Sequence, residues 1–247
     1  MKCSFKKMIQ VVPIVMTLMG GALIAQAVQI VPSSYSMPNG DGHASGGEYN
    51  YWDTNYGGPG STGSTTTDGA YLSGGLGKLT DGVIATQDWE YMTASGYETL
   101  ESAAGTGPYV GWTDMTNPTI VFNFANPANI NTITFYVDNP LNDHGGVAAP
   151  SAFTIGTIKY NIVDSSLSSG VVAISFTDLD LTDITTLPVT IFQTQNPDAF
   201  WTFLSQVTFD DGNPAPVPEP ASLILFGAGI TVVALLRIRR KKYSCGD

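Results

Sequence analysis

The sequence predicts an all-β exported domain of antiparallel strands, a sandwich or barrel, flanked by an N-terminal signal peptide and a C-terminal single transmembrane helix. Three observations carry this. Apolar residues recur with period two in six short runs, and no segment keeps a 3.6-residue apolar spacing. Turn chemistry separates the runs, at Asn126-Pro127, Asn139-Pro140, Gly145-Gly146 and Asp211-Gly212. Lysine and arginine gather beside an apolar stretch at each end of the chain and are almost absent between.

The strands can be read in order. Ile120, Phe122 and Phe124 alternate with polar neighbours, as do Ile133, Phe135 and Val137. Ile158, Tyr160 and Ile162 follow, then Val172, Ile174 and Phe176, then Leu187, Val189 and Ile191. The last run places Trp201, Phe203, Val207 and Phe209 on one side, with Thr202, Gln206 and Thr208 opposite. Such alternation gives each strand one buried face. Upstream, residues 53–68 are rich in Gly, Ser and Thr around Gly57-Gly58-Pro59-Gly60, which predicts a flexible loop or linker. A strand is expected near Glu48–Trp52, and an edge strand from residues 33–52 would complete the sandwich.

The ends read as addresses. Lys2, Lys6 and Lys7 precede the apolar run Met8–Ala25, and Ala25-Gln26-Ala27 offers the small residues a signal peptidase accepts. Residues 1–27 are therefore a signal peptide, and the exported domain spans 28–212. Alternating prolines in 213–220 (Pro214, Pro216, Pro218, Pro220) block helix and sheet and favour an extended stalk. Residues 221–236 carry no charge; as a helix they span roughly 24 Å, short of the roughly 30 Å hydrocarbon core. The tail 237–247 opens with Arg237, Arg239, Arg240, Lys241 and Lys242, which hold that end in the cytoplasm and place the domain across the membrane.

Composition narrows function. Residues 28–220 keep only Lys78 and Lys159 against 20 acidic residues, 2 − 20 = −18, so no basic patch exists to neutralise phosphates and nucleic-acid binding is excluded. Cys3 and Cys245 lie outside the exported domain, which has neither disulfide nor thiolate metal site. His43 and His144 are isolated, and no Gly-x-Ser-x-Gly is present, so a hydrolase triad lacks its parts and no catalytic residue is assigned. The alternatives to a binding or structural role are an extracellular glycosidase, needing two carboxylates at catalytic separation, and a permanently membrane-anchored surface protein.

Two resemblances add to this. Val217-Pro218-Glu219-Pro220, the short apolar helix with Gly227 and Gly229, and the basic tail resemble the PEP-CTERM sorting signal. That resemblance implies processing by an exosortase-type membrane protease, a transient stay in the inner membrane, and a final place at the cell surface or in an exopolysaccharide matrix. Leu79-Thr80-Asp81-Gly82-Val83, Tyr109-Val110-Gly111-Trp112, Thr119–Phe124, Ile133–Asp138 and Phe203–Phe209 resemble the galactose-binding-like, discoidin-type jelly roll. It implies glycan or surface-polymer binding without chemistry.

The discoidin-type resemblance also implies a structural Ca²⁺ held by the Asp81-Gly82 turn and the last strand, where Gln206 stands in place of the usual Glu. No cofactor is otherwise required. Asp178, Asp180 and Asp183 imitate an EF-hand opening, but the sixth and twelfth positions hold Asp183 and Val189, so a solvated turn is the better reading. Aromatics cluster at Tyr49, Tyr51, Trp52, Tyr56 and Tyr71 and again at Trp89, Tyr91, Tyr97 and Tyr109. They are candidate faces for sugar stacking, while Trp89, Trp112 and Trp201 taken singly read as core or loop anchors.

Overall fold

Alternation becomes two facing sheets. The computed structural model describes residues 27–42, 50–89, 107–113, 115–140, 145–163, 166–194 and 200–214. The signal peptide up to Gln26, the stalk beyond Pro214, the sorting motif, the apolar helix and the basic tail lie outside the described residues, as do His43, Tyr49, Tyr91, Tyr97 and His144.

The strands are β1 (Ala27–Ile30), β2 (Ser34–Pro38), β3 (Tyr71–Gly75), β4 (Val110–Trp112), β5 (Thr119–Ile130), β6 (Thr132–Asn139), β7 (Ala152–Ile155), β8 (Ile158–Asn161), β9 (Gly170–Phe176), β10 (Leu181–Phe192) and β11 (Thr202–Pro214). One sheet runs β1-β11-β6-β9, with β4 also on β11; the other runs β3-β2-β5-β10-β7-β8. Every strand ladder is antiparallel. Aromatic pairs bolt the sheets together: Phe135 of β6 stacks on Phe153 of β7 at 4.1 Å, and Phe122 of β5 meets Phe209 of β11 edge-on at 4.8 Å. Each such buried ring contributes about 2–3 kcal/mol through burial alone.

Several expectations need correcting. β2 is no edge strand, since it lies between β3 and β5, and β3 and β8 form the edges of that sheet. The described residues 50–52 form no strand, although Tyr51 bonds through its backbone to Asp41 and Gly111. Residues 53–68 are not a linker: Asp53 and Tyr56 are buried, and the segment bridges β3 through Thr62 and Ser73. Asn126-Pro127 sits inside β5 and Asp211-Gly212 inside β11, both as ladder irregularities rather than turns. Asp178 and Asp180 are exposed on the β9–β10 connection, but Asp183 belongs to β10. Ile158 is exposed because β8 is an edge.

The last strand carries the most consequential difference. Leu204 pairs with Val137 and Gln206 with Tyr136, so Ser205 is an extra residue in the ladder. A bulge of one residue reverses which face every later side chain meets. Leu204, Val207 and Phe209 enter the core between the sheets, whereas Trp201 and Phe203 join a second cluster. The sequence pattern placed all four of Trp201, Phe203, Val207 and Phe209 on one face.

Candidate functional site

The second cluster is where chemistry-bearing residues gather. Phe203 is its hub: Tyr51 lies 4.2 Å from it, Trp201 5.3 Å, Tyr109 5.6 Å and Trp89 6.4 Å, centroid to centroid. Trp201 and Phe203 are sealed, Tyr51 and Trp89 are half-buried, and Phe200 is 55% exposed. The result is an aromatic mass with rims open to solvent at the Thr202 end of β11.

Gly145-Gly146 makes that end possible. Both take left-handed backbone, φ +66° and +74°, which residues with a Cβ adopt at a cost. A Cβ on Gly145 would collide with the Trp89 indole, and one on Gly146 would stand 2.6 Å from the Phe200 ring. The Gly146 carbonyl accepts the N–H groups of Phe200 and Trp201, both at 2.8 Å, so the turn grips the start of β11. Polar groups border the rings. Asp138 Oδ2 accepts the Trp89 backbone N–H at 2.8 Å, the Tyr109 hydroxyl donates to the Gln87 carbonyl at 2.8 Å, and Asp88 lies beside Gly170. Burial, helped by Asp138 and Asp88, pushes the Tyr109 hydroxyl far above its ordinary range, so it stays a donor.

Beneath this surface lies a polar knot that no motif announced. Asp53 is fully buried; its Oδ2 accepts the Tyr35 hydroxyl and its Oδ1 the Lys78 N–H at 2.9 Å. Lys78, 2% exposed, donates its ammonium to the carbonyls of Trp52 at 2.8 Å and Tyr109 at 3.4 Å. Burial raises the Asp53 carboxyl and lowers the Lys78 amine to about 8, against the pull of Asp53 and Asp81. The Tyr35 hydroxyl is raised by burial and by Asp53. The knot is buried; it holds the backbone at residues 52, 78 and 109, and of these Tyr109 is one of the clustered rings. Its only signal in the sequence was one lysine alone in a long acidic stretch.

The Asp81-Gly82 turn does meet Gln206, as the resemblance implied, yet the donors are turned to other work. Gln206 Oε1 accepts the Gly82 N–H at 3.2 Å, and Asp81 Oδ1 accepts the Val83 N–H at 2.8 Å. Calcium needs about six to eight oxygens. Among the described residues no three His, Cys, Asp or Glu side chains group as metal ligands. Each of the two side chains accepts a backbone N–H, and the hydrogen bond from Gly82 ties the turn to β11.

Of the aromatic candidates, Tyr51, Trp89 and Tyr109 come together, while Trp52 bonds Asp68 at 2.7 Å and Tyr56 joins the main core. Trp112 and Trp201 are buried anchors. Phe200 was missed: beside Trp201, in a run read for its alternation, it passed as flanking sequence. Two clefts of about 290 and 350 Å³ lie at the other end of β11; both include Asn129 and Asp211, the smaller adds Asp180 and the larger Phe124.

A family model described as "Discoidin domain-containing receptor 1/2, DS-like domain" matches residues 32–161, and one described as "PEP-CTERM protein-sorting motif" matches residues 216–241. No curated protein matches the chain. Among solved structures, one from Streptococcus pneumoniae beta-galactosidase BgaA shares 8% identity over 75% of this chain and 99% of its own, with TM-score 0.41. The lectin binding domain of lectinolysin complexed with Lewis b shares 12% over 65% and 96%, TM-score 0.37. The family 32 CBM from C. perfringens NanJ in complex with galactose shares 10% over 44% and 82%, TM-score 0.29.

Proposed function

The chain belongs to the family of DS-like domains described for discoidin domain-containing receptors 1 and 2, and from that premise we propose a glycan-binding protein of the cell surface. Its sorting tail delivers it through an exosortase-type enzyme, and the aromatic end of β11 makes the contact with sugar. The observation that carries this is placement. Trp89 and Phe200 stand at the Thr202 end of β11, whereas the chain continues toward the sorting motif from Pro214, the strand's other end. Thirteen residues at about 3.3 Å each separate the two by roughly 40 Å. Sugar rings stack their C–H faces on aromatic rings, and neighbouring carboxylates and carbonyls accept hydroxyls. An open rim suits a chain end or a side branch of a polymer.

A glycan array probed with the exported domain tests this. Saturable binding to a sugar class is expected, reduced at least tenfold by Trp89→Ala and also by Gly145→Ala, whose new Cβ displaces the indole. Absence of saturable binding, or binding indifferent to both substitutions, refutes the proposal.

A further inference from the structure

The first strand of the domain arrives where the last one leaves. Ala27 lies opposite Pro214, Gln29 opposite Asp210 and Ile30 opposite Phe209, with the ladder shifting between Ala27 and Gln29. On β11 the shift falls at Asp211-Gly212, where Gly212 takes φ +67°. The bulge aims the Asp211 carboxylate at the neighbouring strand, and the Val28 N–H donates to Asp211 Oδ1 at 3.2 Å. Val28 is the residue that cleavage after Ala27 would make the first of the exported chain.

We infer that Asp211 is the receiving site for the processed N-terminus: once the signal is removed, the α-ammonium of Val28 is held by the Asp211 carboxylate as an ion pair. The step is hydrolysis by a signal peptidase. Water adds across the Ala27–Val28 amide, its hydroxyl goes to the Ala27 carbonyl, and the nitrogen leaves as an amine that is protonated near neutral pH. An amide donor thereby becomes a full positive charge without moving. The remaining register, Gln29 on Asp210 and Ile30 on Phe209, keeps β1 in place.

Charge supports the assignment. Asp178, Asp180 and Asp211 line one cleft at this end, and Asp210 lies next in sequence, its Oδ1 accepting the Gly212 N–H at 3.2 Å. Between residues 28 and 214 the only basic side chains are Lys78 and Lys159. Lys78 is sealed in the Asp53 knot, and Lys159 sits over the Phe192 ring at 3.8 Å. The processed amine adds a positive charge beside these carboxylates.

The test uses the full chain made in a secreting bacterial host, with its exported product collected and sequenced from the N-terminus. The expected first residue is Val28. Acylation of the α-amine by a succinimidyl acetate at pH 7.5, read by mass spectrometry of the N-terminal peptide, should run about two- to fivefold slower than in Asp211→Asn, because the ion pair favours the unreactive protonated form. Asp210→Asn should change the rate less. Native and urea-denatured wild type provide the same comparison should Asp211→Asn fail to accumulate, with the denatured form the faster. Any other first residue overturns the inference, as do equal rates in wild type and Asp211→Asn, or in native and denatured wild type.

Discussion

Lys78 offers a measurement in which the protein should behave against custom, gaining stability as the solution becomes alkaline. Its amine is lowered from the 10.5 of an unburied lysine to about 8, with burial as the leading cause and Asp53 and Asp81 opposing. A depressed folded value means that the unfolded chain binds more protons between the two values, so unfolding becomes harder as pH rises through that window. At pH 7 the buried charge costs the folded state about 3 kcal/mol. Raising the pH to 9.5 lets the folded amine lose its proton while the unfolded one keeps it, which recovers about 2 kcal/mol. Above pH 10 the trend should reverse. Tyr35, Tyr56 and Tyr109 are all raised by burial, and the stability they hold below the ordinary tyrosine value is lost as pH climbs past it. Urea unfolding of the exported domain, followed by the fluorescence of its four tryptophans from pH 6.5 to 10.5, reads the profile directly. Lys78→Met is the control, since the rise between pH 8 and 9.5 should vanish whatever its absolute stability. A wild-type profile that is flat or falling from pH 7 to 9.5 would refute the reasoning, and so would an unchanged slope in the variant.

Two further outcomes are expected. Melting of the exported domain should be the same in millimolar Ca²⁺ and in chelator, because the Asp81-Gly82 turn is fastened by Gln206; a higher wild-type melting temperature in Ca²⁺ would contradict this. Gln206→Glu should cost about 2–4 kcal/mol in chelator, a buried carboxylate having replaced an amide, with part recovered on adding Ca²⁺. Replacing Pro218-Glu219-Pro220 by alanines should leave an unprocessed membrane form, since the apolar helix can then extend through the segment; cell fractionation showing wild-type release would deny the motif its role in recognition.

How far the fold could be read from residues depended on whether a strand met one environment along its length. β6 does, as do the stretches Thr119–Phe124 of β5 and Leu187–Phe192 of β10, and Ile120, Phe135 and Val189 fall where their alternation predicts. β11 does not, because one extra residue at Ser205 exchanges its faces, and no side chain advertises a bulge. Residues 53–68 misled for a different reason. Glycine and serine measure freedom in the unfolded chain, whereas Asp53 and Tyr56 bury themselves through partners 18 to 25 positions away in Tyr35, Lys78 and Gly75. The candidate site was half legible: Tyr51, Trp89 and Tyr109 stood out as aromatics, but their meeting point on Phe203 depends on the same bulge. Gly145-Gly146 was visible as a turn and not as the seat of two rings.

The position of β11 has a mechanical consequence. Under the proposed function, a protein held by its tail and gripping a polymer is pulled from both ends of one strand, β11. Load applied at Pro214 travels along β11 to Trp201, and β11 is interior to its sheet, bordered by β6 on one side and by β1 and β4 on the other. Its hydrogen bonds lie across the direction of pull, so they share the tension as a row in shear rather than opening one at a time as at a peeled edge.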